Sequence, residues 1–333
     1  MRRITRLLAF MLLPTALLMI AGCPPAPPPM TPEEPSPSDE LDGWPRTFTD
    51  ALGEEVTLEQ PPRRIVSLST GFAEAIFAMG AGERLVGRVT FADYPPEIQQ
   101  VPAVGGMIDA SLEAIVAQEP DLVLTVRGTP REVVDSIRRA GIPVIARDPT
   151  SIDEVIECIR DIGRYLGIEE DADELADGLS TRVEAVRERG DALASGQGRP
   201  SVLFVVGLDP VFVAGPEHFV DDMIFQAGGI NAGALVTGES AGQWPSLSME
   251  AVVELSPDIV VIAMMDQEDW AEIDDGRRLA DQPGWGRLSA VEGGRVFTLD
   301  PDLAVRAGPR LIDALEQMAE IIEDAVAGGP RDG

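Results

Sequence analysis

Imidazole and thiol side chains, the groups most used for metal binding and nucleophilic catalysis, are scarce in this chain. Its 333 residues include one His, His218, and two Cys, Cys23 and Cys158. These are too few for a zinc site of the Cys₄, Cys₂His₂ or His₃ kind. A Ser-His-Asp triad would need His218, and no G-x-S-x-G turn is present. The acids and arginines show no general acid–base pattern, so we predict no catalytic residue, no protein metal site and no resident cofactor.

Aromatic residues make up only 5% of the chain, and several of them fall where loops are predicted. Phe91 and Tyr94 follow the strand pattern at residues 85–90, Phe212 follows a later strand pattern, and Trp244 precedes a proline. Flat aromatic faces bind broad, partly apolar ligands. In open α/β sheets such ligands bind beyond the carboxyl ends of the strands, where these loops are expected. The alternative for each residue is ordinary packing within its loop.

Two arginines are the polar candidates for a ligand site. Arg127 directly follows the apolar run 122–126, and Arg306 lies in the loop sequence DPDLAVRAGPR. A guanidinium pairs well with phosphate, carboxylate or hydroxamate oxygens. Because the chain has 57 acidic residues, a surface ion pair is the alternative for either arginine.

The charge balance excludes one class of partner. Acidic residues outnumber basic ones 57 to 26, which gives a net charge of −31, and every basic residue is Arg. A nucleic-acid partner would need a basic face to meet its phosphates, so we expect none. We attribute the acidity to genome composition or to adaptation to salt rather than to a specific function.

The amino terminus has the pattern of an export signal. Arg2, Arg3 and Arg6 precede an apolar run from residue 7 to residue 22, which is too short to span a bilayer as a mature helix. The run ends in Ile-Ala-Gly before Cys23, which resembles a bacterial lipobox. We therefore predict a lipoprotein signal peptide at residues 1–22 and lipidation of Cys23. An ordinary signal peptide with an incidental cysteine is the alternative.

A proline-rich segment follows Cys23. Eight of the residues 24–37 are Pro, mixed with Ser, Thr and Glu, a composition that cannot form a core and favours an extended chain. We predict a disordered tether over residues 23–45 between the membrane and the folded domain. Cys158 is then the only other thiol, and its place in an apolar helical pattern predicts a buried, inert side chain.

The body of the chain contains an internal repeat. Residues 111–124, SLEAIVAQEPDLVL, and residues 248–261, SMEAVVELSPDIVV, are identical at seven of fourteen positions. Each copy predicts a Ser-capped helix, a break at Pro-Asp and a β-branched strand. The chain also alternates short strand patterns with amphipathic helical ones, which indicates α/β units. We predict two Rossmann-like α/β lobes of similar architecture.

A long polar helical pattern lies between the two copies. It begins at Glu169, is rich in Ala, Leu, Glu and Arg, and carries an apolar stripe that includes Val183 and Val186. We predict one rigid inter-lobe helix at residues 167–197. The first lobe is then 46–166 and the second 198–328, with a ligand cleft between them.

Residues 46–326 resemble the Fe/B12 periplasmic binding domain, the helical-backbone class of ABC-transporter substrate-binding proteins. The resemblance rests on the opening TDALGEEVTLEQPPRRIVSLSTGFAEAIFAMGAGERLVG, on FADYPPEIQQVPAVGG, and on AGPEHFVDDMIFQAGG and QWPSLSMEAVVELSPDIVVIA in the second lobe. It implies capture of a metal chelate outside the cytoplasmic membrane and delivery to a permease. Within the family, the cobalamin-binding proteins are the most similar in DYPPE, in Val-Arg-Gly at 126–128 and in Gln-Trp-Pro at 243–245.

For the site, the resemblance implies that Tyr94, Phe212 and Trp244 lie at or near the inter-lobe cleft. Cobalamin-binding relatives carry Trp at the equivalents of Val126 and Pro301, so this chain departs from their pattern. A ferric siderophore, haem or another corrinoid therefore stays open as the ligand. His218 and Tyr94 are candidates to touch the ligand's metal, although an ordinary loop histidine is the simpler interpretation of His218.

The resemblance also implies two docking acids. In the cobalamin-binding relatives one Glu on each lobe docks into arginine pockets of the permease, and Glu74 and Glu250 match those positions. Both also fall in first helical turns, where an acid is favourable in any case. Glu113, at the same place in the first copy of the repeat, shows that this alternative is real.

Three functions remain to be compared. The preferred function is that of a binding protein that captures a cobalamin-like chelate for a permease. We expect this protein to be exported, lipid-anchored and monomeric, on the periplasmic or extracytoplasmic face of a membrane. A ferric siderophore or haem is the alternative ligand, and a chelate-sensing surface lipoprotein without a transporter is the alternative role. An enzyme has little support. Which membrane carries the anchor stays open.

Overall fold

Strands and helices alternate along the chain in this computed structural model, which describes residues 43–236, 242–264 and 277–328. The strands are β1 Arg46–Thr49, β2 Glu55–Leu58, β3 Ile65–Ser67, β4 Leu85–Arg88, β5 Leu122–Val126, β6 Val144–Arg147, β7 Ser201–Leu208, β8 Val211–Val213, β9 Ile230–Asn231, β10 Ser246–Leu247, β11 Ile259–Ile262 and β12 Val296–Thr298. The helices are α1 Thr70–Ala78, α2 Leu112–Ala117, α3 Arg131–Arg139, α4 Ile152–Leu166, α5 Glu169–Gln197, α6 Phe219–Gln226, α7 Ala232–Val236, α8 Met249–Leu255, α9 Arg277–Asp281, α10 Ser289–Glu292, α11 Pro301–Ala304 and α12 Leu311–Ala327. Short 3₁₀ turns occupy Gly82–Arg84, Pro96–Gln100 and Trp285–Arg287.

The first lobe is built on a parallel sheet with strand order β4-β3-β5-β6. Helices α1, α2 and α3 connect successive strands along the chain. Because helices cover a parallel sheet, its strands are apolar runs rather than alternating patterns, and every residue of β3 is buried. The antiparallel β1–β2 hairpin joins this lobe through buried Asp50, which accepts hydrogen bonds from Leu52 and Glu54 and pairs with Arg138.

The second lobe has a mixed sheet with strand order β10-β8-β7-β11-β12, and β9 pairs with β7. Strands β7, β9, β11 and β12 run parallel, whereas β8 and β10 are antiparallel to their neighbours. One main sheet in each lobe and one long helix between the lobes confirm the predicted fold class. The two main sheets share no strand in the described ranges, so the boundary between the lobes is formed by helices and loops.

The internal repeat is a repeat of structure. Ser111 and Ser248 each cap their helix by accepting from the backbone N–H three residues on, at 3.2 Å in both copies. Asp121 accepts from the backbone at the start of β3, and the equivalent Asp258 accepts from Ser201 at the start of β7. Each aspartate therefore ties its own strand to the neighbouring parallel strand, which explains why Pro-Asp is kept in both copies.

Helix α5 joins the lobes and packs on both. Its 29 residues span about 43 Å, and its buried stripe includes Val183 and Val186 as predicted. Gly163 of α4 lets α5 approach closely, since a Cβ there would lie 2.2 Å from the Cβ of Ala172. On the other side, Arg182 of α5 pairs with the carboxylates of Asp313 and Glu316 on α12. A continuous apolar core runs from the first lobe through α4 and α5 into the second.

Two predicted segments lie outside the described residues. These are the signal peptide at 1–22 with the lipidation site Cys23, and all but the last three residues of the tether at 23–45. None of the helices in the described ranges is both long and apolar enough to cross a membrane.

Candidate ligand cavity between the lobes

A cavity of about 430 Å³ lies between the two lobes. Its first-lobe wall comes from the segments that follow β3, β4, β5 and β6, and β7 contributes Val206 from the second lobe. The carboxyl ends of parallel strands therefore open onto the cavity, as predicted. It is lined by Leu68, Ser69, Thr70, Val89, Phe91, Met107, Val126, Gly128, Asp148, Pro149, Val206, His218, Phe219, Gln243, Trp244, Val305, Arg306 and Ala307.

An aromatic wall closes the second-lobe side of the cavity. The ring of His218 meets Trp244 edge-on at 4.7 Å between centroids and lies 4.0 Å from Phe219. His218 is 3% exposed and caps α6, because its Nδ1 accepts a hydrogen bond from the N–H of Val220 at 3.3 Å. Burial lowers the pKa of His218 to about 4, so the ring is neutral at ordinary pH. Because Nδ1 accepts from Val220, the proton of the neutral ring is on Nε2, which can donate a hydrogen bond to a ligand.

Arg306 is a buried cation of the cavity, and acids of both lobes surround it. It is 8% exposed and donates to Asp93 of the first lobe at 2.6 Å, and it also pairs with Asp302 on α11. The carboxylate of Glu74 lies 3.7 Å away. The guanidinium therefore bridges the lobes, and its charge is already compensated.

Arg310 makes a second ion pair across the same boundary. Its Nε and Nη2 donate to both carboxylate oxygens of Glu74 at 2.9 and 2.7 Å, and its guanidinium stacks 4.0 Å above the ring of Tyr94. Burial raises the pKa of Glu74, and the two arginines oppose that rise. Bidentate geometry is the strongest form that such a pair takes.

The backbones of the lobes touch beside these ion pairs. A Cβ on Gly71 of α1 would lie 2.2 Å from the carbonyl oxygen of Ala307, and one on Gly308 would lie 2.6 Å from the Cα of Gly71. Only glycine allows this approach. Ser69, Thr70 and Ala307, which flank the contact, line the cavity. The contact therefore sets the separation of the two walls at this point.

The structure brings some of the predicted ligand residues together and not others. Phe91, Trp244 and Arg306 line the cavity, and Phe91 stands at its mouth with 67% of its surface exposed. Tyr94 lies outside the lining beneath Arg310. Arg127 is 62% exposed and lies 3.6 Å from Asp148, as the surface-pair alternative proposed.

The prediction that Phe212 lies in a loop after a strand is wrong. Phe212 lies within β8, on the exposed side between buried Val211 and Val213, and is not part of the cavity lining. Because side chains alternate along a strand, its two buried neighbours direct it outward.

The two acids predicted to dock on a permease have different environments in the structure. Glu250 is exposed in the first turn of α8, so its docking role stays a prediction. Glu74 does not fit that role in this structure, because its side chain is 3% exposed and both carboxylate oxygens accept from Arg310. A carboxylate in that position has no free face for an arginine of a partner.

His218, a candidate for ligand contact for which an ordinary loop histidine is the simpler interpretation, forms part of the wall and caps the helix that the pattern after it predicts. One feature of the site was missed by sequence reasoning. Asp93 was not considered at all, although it lies between Phe91 and Tyr94 and pairs with Arg306.

Cys158 is buried and free as predicted, and burial raises its pKa to about 12. Within the described ranges no three His, Cys, Asp or Glu side chains converge as metal ligands.

Two α/β lobes joined by one long helix, with a largely apolar cavity at their boundary, define the class of solute-binding proteins that capture a ligand between lobes. The chain belongs to the periplasmic binding protein family, whose sequence pattern matches residues 65–303. Its architecture and its relatives are those of ABC-type substrate-binding proteins rather than of enzymes.

Relatives support this assignment along most of the chain. An uncharacterized ABC transporter substrate-binding lipoprotein, YvrC of Bacillus subtilis (strain 168), is 31% identical over 92% of this chain and 94% of its own length. A cobalamin-binding protein of Halobacterium salinarum (strain ATCC 29341 / DSM 671 / R1) is 30% identical over 87% of this chain and 78% of its own length. The structure of the periplasmic haem-binding protein RhuT from Roseiflexus sp. RS-1, in apo form, is 33% identical, with a TM-score of 0.69 over 79% of this chain and 98% of that one.

Proposed function

We propose that the chain is the substrate-binding lipoprotein of an ABC importer, that it captures a metal chelate with cobalamin or a related corrinoid preferred, and that it delivers the chelate to a membrane permease. The observation that carries this proposal is the aromatic and apolar cavity between the lobes, with Trp244 and His218 in its wall. Broad apolar rings need such faces together with a few polar groups.

The size of the cavity supports partial rather than complete enclosure. Its volume of about 430 Å³ lies within the range of roughly 300–1,000 Å³ that encloses drug-sized ligands. A macrocyclic chelate is larger than such ligands, so part of it would project from the mouth. Phe91 and Met107, which are 67% and 38% exposed, line the cavity and offer apolar surface to a projecting ring.

Haem and ferric siderophores are the alternative ligands. The Roseiflexus relative is named for haem and the Halobacterium relative for cobalamin, and their sequence identities to this chain are similar. Val126 lines the cavity where cobalamin-binding relatives have Trp, and this weakens the preference for cobalamin. His218 does not favour one chelate over another through its metal, because its Nδ1 already accepts from Val220 and its Nε2 carries the proton, which can be donated to a ligand oxygen.

The proposed assembly places the lobes outside the cytoplasmic membrane, anchored through lipid on Cys23 and docked on the permease as a monomer. Glu250 is exposed on the second lobe and supports a docking contact there. Rim charges of this kind affect the rate of encounter and the orientation more than the affinity.

Spectroscopy and titration test the proposal. Protein purified from its own host should carry the absorption band of its chelate, and titration of the stripped protein should quench tryptophan fluorescence. Trp244→Ala should weaken binding at least tenfold, measured by absorbance of the chelate because the variant lacks the reporting indole. Phe225→Ala is the control, since Phe225 is an exposed aromatic on α6 that does not line the cavity. If no corrinoid, porphyrin or siderophore complex binds the wild-type protein, the proposed function is wrong.

A further inference from the structure

The charged groups around the cavity affect which net charge a bound ligand can carry. We infer that the cavity selects metal chelates without net negative charge and discriminates against chelates that carry free carboxylates or catecholate oxygens. The inference rests on the proposed function and narrows its substrate class. It comes from the pairing of Arg306, Arg310 and Arg127 rather than from any resemblance.

Arg306 is the buried cation that an anionic ligand would seek, and it is already neutralised. Asp93 accepts from it at 2.6 Å, Asp302 pairs with it from α11, and Glu74 lies 3.7 Å away. Asp93 belongs to the first lobe and Arg306 to the second, so the pair also closes the boundary between them. An anionic group of a ligand could pair with Arg306 only by displacing Asp93 or by adding a further negative charge beside the acids already there.

The other positive side chains near the cavity are paired in the same way. Arg310 is held bidentately by Glu74, and Arg127 lies 3.6 Å from Asp148, which itself lines the cavity. The buried ring of His218 adds no positive charge at neutral pH. Each cation therefore has at least one carboxylate within 4 Å.

Four carboxylates face three guanidiniums around the cavity when the charged residues that line it, the described residues that pair with them, and Arg310, which pairs with Glu74, are counted together. The carboxylates are Glu74, Asp93, Asp148 and Asp302, and the guanidiniums are Arg127, Arg306 and Arg310. The internal residues outside the described ranges, 237–241 and 265–276, contain no Arg or Lys and add no positive side chain. The surroundings of the cavity are thus slightly negative within a chain of net charge −31.

A ligand charge placed near this cluster changes the affinity, because Arg306 and Glu74 are buried and the effective dielectric constant is lower there than in water. We expect one ligand carboxylate to weaken binding on the order of tenfold relative to the same chelate with that group neutralised. Neutral amide or hydroxamate oxygens accept hydrogen bonds without this cost. The favoured class is therefore a neutral or cationic chelate, such as an amide-decorated corrinoid or a ferric trihydroxamate.

Pairs of chelates that differ in charge test the inference, and in the first two pairs the members hardly differ in shape. The pairs are cyanocobalamin with its derivative in which one peripheral amide is hydrolysed to a carboxylate, ferric protoporphyrin dimethyl ester with the free diacid, and a neutral ferric trihydroxamate with a trianionic ferric tris-catecholate. Isothermal titration of the wild-type protein gives the dissociation constant of each. In any pair that binds, we expect the less anionic member to bind more tightly, by on the order of tenfold for each negative charge that separates the two members. Added salt should reduce the difference by screening.

A substitution at Asp93 tests whether the ion pairs around Arg306 cause this preference. Asp93→Asn removes one negative charge and leaves Arg306 in place, so the preference within the pair should shrink by about the same factor. Glu54→Gln is the matched control, because Glu54 is also half-exposed on the first lobe and pairs with an arginine at 2.7 Å, and the preference should be unchanged. Thermal unfolding checks that both variants fold. If Asp93→Asn does not fold, the salt dependence of the wild-type preference provides the same test.

The outcomes separate the two proposals. If no member of any pair binds, the proposed function fails and the charge rule fails with it. If a pair binds and its more anionic member is equally tight or tighter, the charge rule is wrong and the proposed function stands. If the less anionic member is preferred but neither Asp93→Asn nor salt alters the preference, the ion-pair cluster is not its cause and the inference is overturned.

Discussion

The backbone contact between Gly71 and the Ala307-Gly308 segment gives the sharpest mechanical prediction. Gly71→Ala would place a Cβ 2.2 Å from the carbonyl oxygen and 2.4 Å from the carbonyl carbon of Ala307. Ordinary contacts of such an atom begin near 3.4 Å. The obstructing atoms are backbone of the other lobe, so no side-chain rotation relieves the clash. The walls of the cavity must separate by about 1 Å at this point.

Two opposing contributions set the magnitude. Overpacking of a well-packed site costs about 1–3 kcal/mol. Alanine is a better helix former than glycine by up to about 1 kcal/mol, and Gly71 lies in the first turn of α1. We therefore expect Gly71→Ala to lower the free energy of unfolding by about 1–2 kcal/mol. At about 2–4 °C per kcal/mol the loss is visible in a thermal scan.

The assay compares Gly71→Ala with Gly178→Ala, in urea unfolding and in titration with the chelate that the wild-type protein binds. Gly178 lies within α5, and a Cβ there meets nothing within 4 Å. That control should stabilise the protein by about 0.5–1 kcal/mol and leave affinity unchanged. Gly71→Ala should destabilise the protein and weaken binding, because Ser69, Thr70 and Ala307 beside the contact line the cavity. If Gly71→Ala matches the control in both measurements, the lobes do not meet as tightly as described.

Three further predictions concern single side chains. The pKa of His218 falls from 6.5 to about 4 in the folded protein, so its contribution to stability is present above pH 6.5 and is lost as the pH falls towards 4. His218→Asn keeps a helix cap and should remove about 3 kcal/mol of that pH dependence, measured as the difference between the two proteins in urea unfolding at pH 7 and pH 4. Cys158, whose pKa is raised to about 12, should resist alkylation at pH 8 in the native protein and react once unfolded, as located by peptide mass spectrometry. Glu250→Ala should slow chelate uptake through the permease, whereas Glu254→Ala, on the same helix, should not; equal uptake by both variants would remove Glu250 from the docking surface.

Local patterns predicted most of the fold. The Ser caps, the repeated Pro-Asp and the stripe along α5 each depend on residues within one or two helical turns of one another. The position of the cavity also followed from the sequence, because parallel strands present their following loops at one edge of the sheet. Phe91 could be placed near that edge for this reason, whereas the position of Trp244 at the cleft was implied by the family resemblance.

The direction of individual side chains and the pairing of residues far apart in the chain could not be predicted from the sequence. Phe212 is directed outward by the alternation of a strand of only three residues, which is too short to recognise as a pattern. Tyr94 lies three residues after Phe91, yet it packs under Arg310 rather than into the cavity. His218 was undervalued because a single histidine carries no periodic signal, and its burial depends on contact with Trp244.

Glu74 shows most clearly how the boundary and the ligand site are connected. Its partner Arg310 is 236 positions away in the chain, so no local pattern announces the pair. The carboxylate that holds Arg310 also lies close to Arg306, and Arg306 in turn holds Asp93 at the edge of the cavity. The residues that fasten the lobes are therefore the residues that set the charge seen by a ligand. A substitution that frees Arg306 for an anionic chelate also removes an ion pair between the lobes, so a change of ligand charge and a loosening of the boundary should appear together.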